Sequence, residues 1–315
     1  MRSQSFEGPP ATEGDAGDPA TPLGRRYDVK GRRLFLHRSG TGGPSVVFLP
    51  GAGLVGLDFW NIHERAAQFT TSVLYDRAGT GWSDPADLPR TPAQVTDELR
   101  GLLHTAEVPG PHLLVGHSLG AFYARRYAQR FPDQVAGLLL LDPGHEDIAD
   151  YMPTEAVRMN EQAKPDPERL PDLTDEQLHA ARGQYAQLYA SWPDAIRRGL
   201  IDHHLTSWRT GLRESGNFET EVYDELRRGG DLPDVPLTVL TAGGDNPYWA
   251  QFLSEQAMRE ALDGLRAMHA ALTASVPGGE QRVLSSASHQ YAHIEQPDAV
   301  LHALRDLHDK IVERR

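Results

Sequence analysis

Gly116-His117-Ser118-Leu119-Gly120 is the stretch in which residue types and spacing promise chemistry, because it fits G-x-S-x-G. The residues before it, His112-Leu113-Leu114-Val115, form a short apolar run of the kind that makes a buried strand. The residues after it have helical spacing, with Leu119, Phe122, Tyr123, Tyr127 and Phe131 able to share one face. A strand that turns at once into a helix leaves no room for side chains beside the turn, which accounts for the two glycines. The residue at the apex is thrust out of the sheet with its Oγ exposed, and the helix N-terminus behind it favours negative charge. A serine hydroxyl is a weak nucleophile until a base removes its proton, so Ser118 needs a histidine, and the histidine needs an orienting acid. The chain has no cysteine, which excludes thiol catalysis, disulfides and cysteine-ligated metals.

The elements around this turn repeat its strand-helix grammar. Arg26 to Val29 and Arg32 to Arg38 read as two short strands joined at Lys30-Gly31, and Ser45 to Leu49 as a buried strand. A helix over Asn61 to Gln68 and a strand over Thr71 to Tyr75 follow. Thr91 to Ala106 is amphipathic, with Thr91-Pro92 as cap and first turn. Val135 to Leu141 is another continuous apolar strand, ending at Asp142. Such alternation predicts a mostly parallel sheet covered on both faces.

Residues 146 to 231 differ in character, with no convincing buried strand. Helices are expected from a capping box at Thr174 and Gln177 to about Ala190, over Ile196 to Arg213 and over Phe218 to Arg228. The strand pattern returns at Pro236 to Leu240 and around Arg282 to Leu284, separated by a helix over Trp249 to Ala274, and a helix over Asp298 to Val312 closes the chain. The expected organisation is a disordered tail over 1–24, a core over 25–145 and 232–315, and a helical lid over 146–231. No internal repeat or coiled coil is evident.

The 315 residues and 39% hydrophobic content suit one large α/β domain with an insertion. The net charge of -13 argues against nucleic acid and anionic membranes as partners, and no apolar run is long enough to cross a bilayer. The N-terminus lacks the apolar stretch of a signal peptide, so a cytoplasmic location is expected.

Several separate segments together resemble the α/β-hydrolase family over residues 25 to 312. They are Pro50-Gly51-Ala52-Gly53 after its strand, the stretch Tyr75-Asp76-Arg77-Ala78-Gly79-Thr80-Gly81-Trp82-Ser83-Asp84, the turn Gly116 to Gly120, Phe131-Pro132-Asp133, Val239 to Asp245, and Ser288-His289 followed by Glu295-Gln296-Pro297. The resemblance implies a mostly parallel central sheet flanked by helices with an inserted helical lid, and a triad in chain order serine, acid, histidine. It places the base at His289, shortly after the last strand. Five residues separate His289 from Glu295 where the family usually has four, so His293, one helical turn on, is the competing base. The acid implied by the turn after the Pro236 strand is Asp245, with Asp142 as the alternative and Glu146 as a weaker third. The oxyanion donors implied are the backbone amides of Leu119 and, from the Pro50 loop, Ala52.

The function expected is a serine hydrolase acting on an ester, lactone or thioester of a small molecule through Ser118, Asp245 and His289. The alternatives are acyl transfer or carbon–carbon bond hydrolysis by the same residues, or a ligand-binding protein that keeps the fold. No metal and no cofactor are implied, since the His289 and His293 pair has no evident third ligand. His117, His203 and His204 are expected to pack or line the pocket, and the Asp76-Arg77-x-Gly79-x-Gly81-x-Ser83 turn to brace the core without a chemical role. The oligomeric state is not legible.

Overall fold

The computed structural model describes residues 21–162, 165–244, 246 and 249–314. The expected disordered tail therefore lies mostly outside the described residues, and so does Asp245. The strands are β1 (Arg25–Val29), β2 (Arg32–Ser39), β3 (Val46–Leu49), β4 (Ser72–Tyr75), β5 (His112–His117), β6 (Val135–Leu141), β7 (Leu237–Ala242) and β8 (Glu280–Leu284). They form one sheet in the order β1-β2-β4-β3-β5-β6-β7-β8. The β1–β2 and β2–β4 pairs are antiparallel, and the remaining pairs are parallel.

Strand periodicity divides the core. Val47 and Leu49 of β3 face one cluster with Leu114, Leu138, Leu140 and Val239, whereas Val46 and Phe48 face another with Leu113, Val115, Leu139 and Leu240. Two neighbours along a strand thus go to opposite faces, and both faces are apolar because both are covered. The helices that cover them are α1 (Trp60–Ala66), α2 (Pro92–Thr105) and α3 (Leu119–Arg130), joined later by helices near the C-terminus. The cap expected at Thr91 forms, with the Thr91 hydroxyl accepting from the Gln94 amide.

Between β6 and β7 lie α4 (Thr154–Gln162), α5 (Asp175–Leu188), α6 (Asp194–Thr206), α7 (Thr210–Glu214) and α8 (Tyr223–Arg228), and among the described residues no strand. The sequence carries no clear mark of α4, whose buried Ala156 meets Ala257 and Ala261, a contact too slight to mark a hydrophobic face. The single helix expected over Ile196 to Arg213 is two, because the chain breaks at Ser207 to Arg209. There Arg209 turns back to the Pro167 and Leu170 carbonyls at 3.0 and 2.8 Å. The remaining helices are α9 (Glu255–Ala274), α10 (Ala292–Glu295) and α11 (Pro297–Glu313), and no helix among the described residues is long and apolar enough to cross a membrane.

Candidate active site

Ser118 sits at the junction of β5 and α3 with φ +49° and ψ -116°, a conformation that L residues avoid. The flanking glycines are required by contact. A Cβ on Gly120 would lie 1.9 Å from the Leu49 carbonyl oxygen, and one on Gly116 would lie 2.7 Å from Ala121 Cα. Close approach of α3 to β3 therefore holds the strained serine in place.

His289 reaches Ser118 from the loop between β8 and α10, with Nε2 3.0 Å from Oγ. The extra residue between His289 and Glu295 is absorbed by the loop, because the Glu295 carboxylate accepts from the Ser288 amide at 2.6 Å and from its hydroxyl at 3.0 Å. The competing base, His293, is elsewhere. It is fully buried and stacked on Phe59 with ring centroids 4.1 Å apart, and neither ring nitrogen makes a well-formed hydrogen bond to a described residue.

The carboxylate on His289 is that of Asp142, whose Oδ2 stands 2.5 Å from His289 Nδ1. The acid favoured from sequence, Asp245, lies outside the described residues; the position beside the imidazole is held by the alternative. Asp142 ends β6, next to the strand that carries Ser118, and its Oδ1 accepts from the Ala242 amide at 2.8 Å. That bond aims Oδ2 at the histidine. Burial opposes the Asp142 charge, yet the hydrogen bond and charge of His289, with the Ala242 amide, bring its pKa below the ordinary carboxylate value. Desolvation likewise disfavours the His289 imidazolium, but Asp142 outweighs it and raises the pKa above that of an ordinary histidine. Glu146 serves another purpose, forming a buried two-pronged pair with Arg125 at 2.8 and 2.7 Å.

The Pro50 loop abuts the serine, since a Cβ on Gly51 would lie 3.3 Å from Ser118 Cβ. Within it the Ala52 amide, like that of Leu119 at the first position of α3, has no hydrogen-bond partner among the described residues. An open amide at a helix start is ordinary, and beside a serine it is a ready donor to an oxyanion. His117, expected to pack or line the pocket, donates from Nε2 to the His289 carbonyl at 2.8 Å. Its adjacency to Ser118 in the chain was visible; its contact with a residue 172 positions away was not.

Ser118 and His289 open onto a cavity of about 1780 Å³. Its walls include Phe122, Met152, Met159, Phe218, Leu262 and Leu265, contributed by α3, by the insertion and by α9. The arginines on the wall, Arg213 and Arg227, are paired with Glu168 at 2.8 Å and Asp147 at 3.0 Å.

The fold agrees with the comparisons. A model of the alpha/beta hydrolase family matches residues 46–303, and the chain belongs to that family. It is 36% identical over 133 residues to the uncharacterized protein YqjL of Bacillus subtilis, covering 40% of this chain and 51% of that one. Over 135 residues it is 29% identical to 2-(acetamidomethylene)succinate hydrolase of Mesorhizobium japonicum, covering 43% of this chain and 46% of that one. The chain thus spans about half the length of these relatives. Among solved structures, a thermophilic esterase from Thermogutta terrifontis superposes with a TM-score of 0.58 at 19% identity, over 91% of this chain and 98% of the other, a likeness of fold.

Proposed function

We propose that the protein is a serine hydrolase that cleaves a carboxylic ester-type bond in a small, largely apolar molecule. The observation that carries this reading is the continuous relay Ser118 Oγ–His289 Nε2 at 3.0 Å and His289 Nδ1–Asp142 Oδ2 at 2.5 Å. Asp142, rather than Asp245, is the orienting acid in this reading. His289 Nε2 takes the Ser118 proton as Oγ attacks the substrate carbonyl. The resulting oxyanion is held by the amides of Ala52 and Leu119. Collapse of the tetrahedral species expels the alcohol, which carries away the proton from His289 and leaves an acyl-serine. Water, deprotonated by His289, then attacks the acyl carbon, and the acid leaves as Ser118 recovers its proton.

The largely apolar cavity wall supports an apolar substrate without an anionic group, since both of its arginines already have carboxylate partners. The helical insertion serves as the lid of that cavity in this reading. The test is labelling with a fluorophosphonate, followed by a panel of esters, lactones and thioesters. One adduct on Ser118, lost in Ser118→Ala, and turnover of at least one panel member are expected. No adduct under conditions that label a reference serine hydrolase would overturn the reading in favour of a ligand-binding protein.

A further inference from the structure

Arg77 belongs to the glycine-rich turn expected only to brace the core, and Glu214 ends α7 in the insertion. The two are 137 residues apart, both nearly fully buried, and joined through Nε to Oε1 at 2.8 Å and Nη2 to Oε2 at 3.0 Å. What they enclose is the Pro50 loop. Arg77 donates from Nη1 to the Pro50 carbonyl at 2.7 Å and from Nη2 to the Gly51 carbonyl at 2.9 Å. Glu214 Oε2 accepts from the Gly53 amide at 2.8 Å. The loop also touches α7 directly, because a Cβ on Gly53 would lie 3.1 Å from Gly211 Cα.

The consequence follows from peptide planarity. The Gly51 carbonyl and the Ala52 N–H belong to one rigid trans unit and point in opposite directions. A guanidinium that draws the carbonyl inward therefore turns the Ala52 N–H the other way. The next unit, holding the Ala52 carbonyl and the Gly53 N–H, is fixed by Glu214. Both peptide planes around Ala52 are thus set by one ion pair, and the Ala52 amide is left without a partner among the described residues.

We propose that Arg77 and Glu214 are positioning residues for the oxyanion-binding amide of Ala52, and that Glu214 makes this donor depend on the docking of the helical insertion. The proposal rests on the serine hydrolase reading above. Removing one partner would strand a buried charge and endanger the fold. The informative variants are therefore Glu214→Gln, which keeps size and an acceptor, and Arg77→Met with Glu214→Leu, which removes both charges together.

The measurements are kcat and KM on an ester that the wild type turns over, normalised to fluorophosphonate-titrated sites, and inhibition by an aryl boronic acid. Such an acid accepts Ser118 Oγ to form a tetrahedral boronate that presents an oxygen to the oxyanion site. For the double variant kcat is expected to fall about 10²–10³-fold, the size of one lost oxyanion donor, with KM within about threefold. The boronate inhibition constant is expected to rise in step, and Glu214→Gln to fall between the double variant and wild type. A folded, fully titratable double variant with unchanged kcat and boronate affinity would overturn the proposal. So would a loss confined to KM. If Ser118 is never labelled in wild type, the hydrolase reading itself has failed, whatever the variants do.

Discussion

His117 Nε2 donates to the backbone carbonyl of His289 at 2.8 Å, so the residue before Ser118 holds the loop that carries His289. The bond also fixes the tautomer, with the proton on Nε2 and Nδ1 bare, facing Gly51. Burial, with help from the neighbouring His289 and His293, pushes the His117 pKa down to about 3, so the ring stays neutral while it does this. His117→Phe keeps the bulk and deletes the donor. Its kcat should fall on the order of 10–10²-fold with little change in KM, as expected when a base is displaced by a fraction of an ångström. His117→Gln, which retains a donor, should recover part of the loss. Equal activity in wild type and His117→Phe would show that the bond only packs the loop.

The assignment of Asp142 makes a prediction with a sign. His289 works as a base only when neutral, so kcat/KM falls as pH drops through its pKa, which Asp142 raises above the ordinary 6.5. Asp142→Asn removes the raising influence and leaves desolvation, so the acidic limb should move to lower pH. The maximal rate should fall about 10³–10⁴-fold, because the imidazole is no longer held in the productive tautomer. Asp245→Asn should leave both limb and rate near wild type. A pH profile of kcat/KM for the two variants decides between the acids, and the reverse pattern would restore Asp245.

Most of the core was legible because its signals are local. The apolar run of β6 was expected over Val135 to Leu141 and is found there, and the Gly-flanked Ser118 turn was expected from adjacent residues. Spacing also favoured His289 over His293, in keeping with the observed contact to Ser118. The acid was harder, since in the sequence one aspartate, Asp142, follows the apolar run Val135 to Leu141 and another, Asp245, follows the run from Pro236 to Leu240, and nothing local ranks the two. The bracing of Ala52 was not legible at all. The Asp76-Arg77 turn was visible, but Glu214 comes from a polar stretch of the insertion, and nothing in its own neighbours marks it as buried. Long-range polar contacts leave no periodicity to read.

Acid should unfold the protein early for a reason separate from catalysis. Burial holds His63 and His117 at a pKa of about 3, and His112 and His293 at about 4, against an ordinary 6.5. Below pH 6.5 the unfolded chain binds these protons first, so stability is greatest above that value and is lost as pH falls toward 4. Each such group steepens the loss by about 1.4 kcal/mol per pH unit within the window. Urea midpoints measured from pH 7.5 to 4.5 should fall progressively, and His293→Phe should flatten the curve while preserving the stack on Phe59. A midpoint constant across that range would contradict the buried, neutral state of these rings.

Docking of the insertion depends on a second buried acid, Asp58, in the segment after the Pro50 loop. Its Oδ1 accepts from the Tyr189 hydroxyl at 2.6 Å and from His204 Nε2 at 2.9 Å, while Oδ2 accepts from the Val55 amide at 2.7 Å. Trp192 adds a bond from Nε1 to the Leu57 carbonyl at 2.9 Å. Asp58 is fully buried. Asp58→Ala therefore leaves the Val55 amide unsatisfied and takes from the Tyr189 hydroxyl and His204 Nε2 their shared acceptor, at a cost of about 2–4 kcal/mol. Because Tyr189 and His204 belong to the insertion, the loss should appear first as loosening of that region. Limited proteolysis should cut Asp58→Ala within 146–231 at protease levels that spare wild type, with a lower thermal midpoint. Activity should drop with the same variant, because α7 and Glu214 leave the Pro50 loop when the insertion lifts. Undiminished protease resistance with a normal midpoint would mean that apolar packing by Trp192 and Leu200 suffices to hold the insertion without this acid.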